Sequence, residues 1–153
     1  MRRSMPLLVR LALLTSMTLV IGASASLAAD DSPYAGAAKC KMCHSAIFQS
    51  WQGTKHAKAL SLLDPAQRKS DCISCHVTGT PEMIAAEKDT PSFPDVQCEA
   101  CHGAAKAHTQ NPKNRAGLIA DPDEASCKRC HNEKSPHFHG FVYAAMKPFV
   151  HPK

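Results

Sequence analysis

The sequence predicts a mainly α-helical protein of short helices and loops, wrapped around bound groups rather than around an apolar core of its own. Three observations lead there. All eight cysteines fall in four copies of one pattern: Cys40-Lys41-Met42-Cys43-His44, Cys72-Ile73-Ser74-Cys75-His76, Cys98-Glu99-Ala100-Cys101-His102 and Cys127-Lys128-Arg129-Cys130-His131. The first of the 153 residues read as a removable leader, which leaves a short chain. Between the motifs the signals are helix caps, prolines and loops, and no segment alternates as a half-buried strand does.

Cys-x-x-Cys-His is the attachment signature of c-type haem. Two thiols form thioethers to the haem vinyl groups, and the adjacent histidine ligates the iron from one face. Disulfides or zinc sites are the competing explanations for paired cysteines in a small exported protein. Neither requires a histidine after each second cysteine. Histidine supplies only nine of the 153 residues, so chance would seldom place one after all four pairs. The expected cofactors are four c-type haems with their iron. Cys40 and Cys43, Cys72 and Cys75, Cys98 and Cys101, and Cys127 and Cys130 are the expected covalent anchors. His44, His76, His102 and His131 are the expected proximal iron ligands.

The N-terminus fits that chemistry. Arg2 and Arg3 start the chain, residues 6–21 are mostly apolar, and residues 22–29 are rich in small side chains. Ser26-Leu27-Ala28 fits the small-x-small cleavage rule, so residues 1–28 read as a signal peptide and residues 29–153 as a tetrahaem domain in the periplasm. The apolar stretch is short for a bilayer span and carries Arg10, so no membrane anchor is expected. In bacteria haem c is attached outside the cytoplasmic membrane, and export makes the motifs usable. The remaining 125 residues give roughly 31 per haem, enough for one modest domain. They cannot surround four macrocycles with an ordinary apolar core, so the haems are expected to be the core. Without Arg2, Arg3 and Arg10 the chain has 15 basic and 13 acidic residues, and the haem propionates bring the net charge below zero. There is no basic stripe and aromatics are few, so nucleic acid is not an expected partner. Redox partner proteins, steered by local charge, are. The sequence leaves the oligomeric state open.

In chain order, residues 30–39 form a polar lead-in to the first motif. Residues 46–63 are the longest helical candidate: Ile47 and Trp51 share a face, as do His56, Leu60 and Leu63. Gly53 breaks it into two short helices, and Pro65 stops it. Asp71 precedes the second motif. Thr80 as N-cap and Pro81 at the first position predict a helix over 81–88. Residues 89–94 are loop, Asp95 is a cap for a helix carrying the third motif, and residues 111–120 are loop. Asp121-Pro122-Asp123-Glu124, with Glu124 at the third helical position, leads into the fourth motif. Successive motifs start 32, 26 and 29 residues apart. With no similarity outside the motifs, that irregular pitch excludes a repeat array.

The far side of each iron decides function. An open position binds small molecules, whereas a second strong ligand leaves a centre for electron transfer. Five histidines remain: His56, His108, His137, His139 and His151. His56 lies on the face of Leu60 and Leu63, and where the core is haem that face meets iron. His108 follows His102 through small residues, so the chain can turn tightly and offer it to a neighbouring haem. Phe141, Tyr143, Met146 and Phe149 give the tail apolar groups that can dock it, which brings in His151. His137 and His139 point to opposite sides if extended, so one of them at most serves a given iron. Met42, Met83 and Met146 are weaker candidates. Trp51, Tyr143 and the phenylalanines read as packing groups.

Three blocks resemble the cytochrome c-554 family of tetrahaem cytochromes. They are the first motif with Trp51 and Lys55-His56-Ala57, the run Gln97 to Gly103 with His108, and the stretch from Ser135-Pro136 to His151. The resemblance implies a small multihaem fold of short helices and loops around four stacked haems. It implies that His56, His108 and His151 are distal ligands, usually to haems other than the nearest in sequence. It further implies a five-coordinate second haem, held here by His76; His137 and His139 are departures that offer to close it.

The function expected on these grounds is a periplasmic electron carrier with mainly bis-histidine haems. The alternative is a small haem reductase of nitric oxide, nitrite or hydroxylamine that uses one five-coordinate haem. A third is a subunit of a haem wire or of a larger oxidoreductase.

Overall fold

The computed structural model describes residues 32–151, so the expected leader, residues 1–28, lies outside the described residues. Among these residues eight short α-helices follow one another: α1 (Ala37–Cys40), α2 (Ser45–Gln52), α3 (Pro65–Lys69), α4 (Pro81–Ala86), α5 (Cys98–His102), α6 (Lys106–Gln110), α7 (Glu124–Lys128) and α8 (Tyr143–Met146). Single 3₁₀ turns cover His56–Lys58, Leu60–Leu62, Asp71–Cys75 and Lys147–Phe149. Among the described residues there is no strand, only an isolated antiparallel bridge between Val77 and Pro94. None of their helices is long and apolar enough to cross a membrane. Helices this short do not persist alone in water, so tertiary contacts must hold each one.

The fold class is the expected one, with local differences. Gly53 ends α2 as anticipated, but the chain beyond it forms two 3₁₀ turns instead of a second α-helix. Pro65 starts a helix rather than stopping one. Asp64 accepts from the backbone N–H groups of Ala66 and Gln67, and Gln67 reaches back to the Asp64 N–H, a complete capping box. The missing N–H of proline costs nothing at that position. Thr80 caps α4 as expected, through the Met83 N–H at 3.3 Å, although α4 ends at Ala86. In front of the fourth motif the cap is Asp123, accepting from Ser126 N–H at 2.8 Å, so Glu124 is the first helical residue and not the third.

Asp95 does not cap α5, whose N-cap is Gln97. It sits at φ 68°, the left-handed region that asparagine and aspartate tolerate best among non-glycine residues. From there its carboxylate accepts the Leu60 N–H at 2.9 Å. The capping signal was real but served a different turn.

Residues 93–97 act as a strap. Phe93 C=O accepts the Thr78 N–H, and Val96 N–H donates to His56 C=O at 3.0 Å. Trp51 Nε1–H donates to Val96 C=O at 2.9 Å. The buried Thr78 hydroxyl donates to Asp95 C=O and accepts the Gln97 N–H. Helix α2, the His56 turn and the second motif are thereby tied to the entrance of the third.

The protein's own apolar cluster is small: Leu63, Ile73, Val77 and Ile84, with Leu60 against it. Ile73, at 1 % exposure, lies between the two cysteines of the second motif. Large apolar side chains elsewhere face outward, among them Met42, Leu62, Val142 and Phe149. Ile73→Ala removes the most buried side chain of this cluster. It is expected to cost about 2–4 kcal/mol, measurable by denaturant unfolding of the haem-loaded protein, and a loss below about 1 kcal/mol would show that the cluster contributes little.

Candidate haem sites

Each motif is a helical turn. Backbone bonds from His44 N–H to Cys40 C=O (2.9 Å) and from His131 N–H to Cys127 C=O (3.0 Å) close the first and fourth. The third is α5 itself, and the second is a tighter 3₁₀ turn closed by His76 N–H to Ile73 C=O at 2.9 Å. On a helix, residues i, i+3 and i+4 share a face. Both thiols and the imidazole of a motif therefore project together toward one macrocycle.

The chain brings these turns together out of sequence order. The thiols of Cys40 and Cys98 lie close enough to shift each other's ionisation, as do those of Cys75 and Cys130. The first motif thus neighbours the third, and the second the fourth. In each pair the coupling holds one thiol low, Cys98 to about 7 and Cys75 to about 6, and pushes its partner up. Arg129 Nη2, inside the fourth motif, donates to Ala100 C=O inside the third.

Three histidines have their ring orientation set by a backbone carbonyl. Nδ1 lies 2.7 Å from Ala59 C=O in His76, 2.7 Å from Ile119 C=O in His102, and 3.0 Å from Asn114 C=O in His108. A carbonyl only accepts, so Nδ1 carries the proton and Nε2 keeps its lone pair. That is the arrangement found around metal-ligating histidines. Gly103 makes the His102 contact possible. It leaves α5 at φ 86°, and a Cβ there would meet Gly117 C=O at 2.6 Å, two residues before Ile119.

Two of the predicted distal histidines stand opposite predicted proximal ones. The ring planes of His102 and His151 are nearly parallel, at 23°, with centres 6.3 Å apart. Those of His56 and His131 are 6.0 Å apart at 63°, with Phe141 stacked on His131 at 5.0 Å. Two imidazoles on opposite sides of one metal, each with a metal–nitrogen bond of about 2 Å, have ring centres roughly 6–6.5 Å apart. Burial, and to a lesser extent His131, lowers the pKa of half-buried His56, which favours the neutral form that a metal requires. His151, His56, Cys98, Cys101 and Val150 border one cleft.

Elsewhere the predicted residues are not joined. No histidine ring faces His44 or His76 among the described residues. His108 carries the orienting bond but has no histidine opposite it, and His137 and His139 are exposed. Sequence reading missed the orienting carbonyls of Ala59, Ile119 and Asn114, because a backbone group leaves no residue signal. It also passed over Glu99. A carboxylate between two motif cysteines was the available sign.

The residues fit c-type haem. The thiol pairs and imidazole share a helical face, and two imidazole pairs have metal-spanning separation.

Comparison with known proteins agrees. Residues 39–103 match the family described as cytochrome c554 and c-prime. Cytochrome c-554 of Nitrosomonas europaea is 33% identical over 118 residues, which span 65% of this chain and 50% of that one. The reduced-state structure of cytochrome c554 from the same organism is 27% identical, covers 78% of each chain and superposes with a TM-score of 0.52. The chain is similar to the cytochrome c-554 family in sequence and in fold. It spans about half the length of its curated cytochrome c-554 relative. It is a mainly α, multihaem c-type cytochrome.

Gly103→Ala is expected to push the 115–119 loop away and release His102 Nδ1, at a cost of about 1–3 kcal/mol. The expected readout is a lowered melting temperature with a broadened low-spin signal from the third haem. An unchanged signal would show that Ile119 does not orient this ring.

Proposed function

We propose that the protein is a periplasmic tetrahaem electron carrier, in which the third haem is held between His102 and His151 and the fourth between His131 and His56. The two histidine ring pairs at metal-spanning separation carry this reading. Haem iron supplies a reversible one-electron couple. The chain's residues do the rest. Eight cysteines tether the groups, His44, His76, His102 and His131 ligate from one face, and His56 and His151 close the opposite face of two sites. A closed iron needs no substrate, so electrons enter from one redox partner protein and leave to another.

Neighbouring motifs support the route. First against third and second against fourth make two pairs, and the Arg129–Ala100 bond joins one pair to the other. His108, held by Asn114, is the ligand proposed for the first haem. Residues 1–28 are proposed as the export signal, cleaved after Ala28, and N-terminal sequencing of the mature protein should therefore begin at Ala29.

One observation favours a second reading. His76 is oriented by Ala59 but faces no other histidine, and His137 and His139 are exposed. An open second haem would bind a small ligand such as nitric oxide, with electrons fed by the other three. In the carrier reading this position is incidental; in the reductase reading it is the active site.

Low-temperature EPR of the oxidised protein, with haem quantified in parallel, tests the proposal. Low-spin signals from the third and fourth haems are expected. His151→Ala should convert one haem equivalent to high spin, and His56→Ala a different one. If neither variant changes the spectrum, the ligand assignment is wrong. Carbon monoxide added to the reduced protein should shift the spectrum of the second haem alone. The absence of any shift would rule out the reductase reading.

A further inference from the structure

Glu99 is the one charged side chain counted as buried among the described residues, at 3 % exposure. It sits between the cysteines of the third motif, yet its partners lie elsewhere. Oε1 accepts the Ala35 N–H at 2.8 Å and the Ala105 N–H at 2.7 Å, and Oε2 accepts the Gly36 N–H at 2.7 Å. Next to it, Gln97 Oε1 accepts the Ala37 N–H at 2.6 Å. Ala35, Gly36 and Ala37 are the entrance to the first motif. Ala105 opens the helix that carries His108. One carboxylate therefore fastens three segments that build the first and third sites.

Those three partners are donors. An ionised carboxylate is a pure acceptor, so three amides aimed at two oxygens satisfy the charged form. Burial keeps that charge from being screened by salt. Cys98 is its neighbour in sequence, and its amide partners Ala35 and Gly36 lead into the first motif, so the anion lies where the first and third haems would attach.

We propose that Glu99 is a potential-setting residue, a buried anion that clamps the first motif to the third and lowers the reduction potentials of the haems on those two motifs relative to the fourth. The sign follows from electrostatics. A ferric haem carries one more positive charge than a ferrous one, so a fixed nearby anion favours the ferric state and lowers the potential.

This inference rests on the ligand assignment above, because equal axial ligands let the third and fourth haems be compared directly. The test is a redox titration followed by EPR, with signals assigned through His151→Ala and His56→Ala. Glu99→Gln should move the potentials of the first and third haems upward, leave the second and fourth nearly in place, and retain the low-spin spectrum. Glu99→Asp keeps the charge and should stay near the wild-type potentials. If Gln leaves the potentials unmoved, or moves all four alike, the proposal fails. Should Glu99→Gln not fold, the wild type still decides: the third haem must titrate below the fourth, and an equal or reversed order overturns the idea. Wild-type EPR separates the two readings. A missing low-spin pair overturns the ligand assignment, whereas intact pairs with unmoved potentials overturn the role of Glu99.

Discussion

A shortage of apolar interior governs this molecule. Among the described residues the longest helix is Ser45–Gln52, and the apolar cluster is four residues around Ile73. Such elements have little independent stability, and so small a cluster cannot offset the entropy of ordering the chain. Covalently attached haems are the natural remedy. They bring large apolar surfaces, and the thioethers keep those surfaces from dissociating.

Polar backbone contacts compensate for the thin core. The strap at residues 93–97 serves Trp51, His56, Leu60 and Thr78 at once. Asp95 accepts a left-handed backbone to reach Leu60, and Glu99 holds the N–H groups of distant Ala35 and Gly36 and of nearby Ala105. These contacts recur where two haem motifs must be kept in register. Haem-to-haem distance controls electron transfer, and register is therefore where structure meets function. Small-residue chemistry plays the same part at Gly103, where a close approach to Gly117 lets the following loop orient His102.

Much of the local structure was legible. Thr80-Pro81 gave the start of a helix, and Gly53 gave the end of another. The misreadings share one cause. Asp95, Asp121 and Pro65 each carry genuine boundary signals, but a cap or a proline does not say which neighbouring turn it serves. Asp95 serves a turn remote in sequence, Asp123 replaces Asp121 two residues later, and Pro65 opens a helix because Asp64 and Gln67 complete a box around it. At the sites, His56 and His151 were picked out by their apolar surroundings, which is a local property. The carbonyls of Ala59 and Ile119 had no such mark.

The sequence by itself determined the cofactor class and proposes the anchors, because thioether attachment needs only two thiols and an imidazole within one helical turn. Five consecutive residues encode that geometry completely. Tertiary structure alone decided which motifs neighbour one another, that His56 stands opposite His131 and His151 opposite His102, and that Glu99 is buried between two sites. Each of those pairings spans dozens of residues through irregular loops. Their outcome depends on how the whole chain packs, and no local pattern records it.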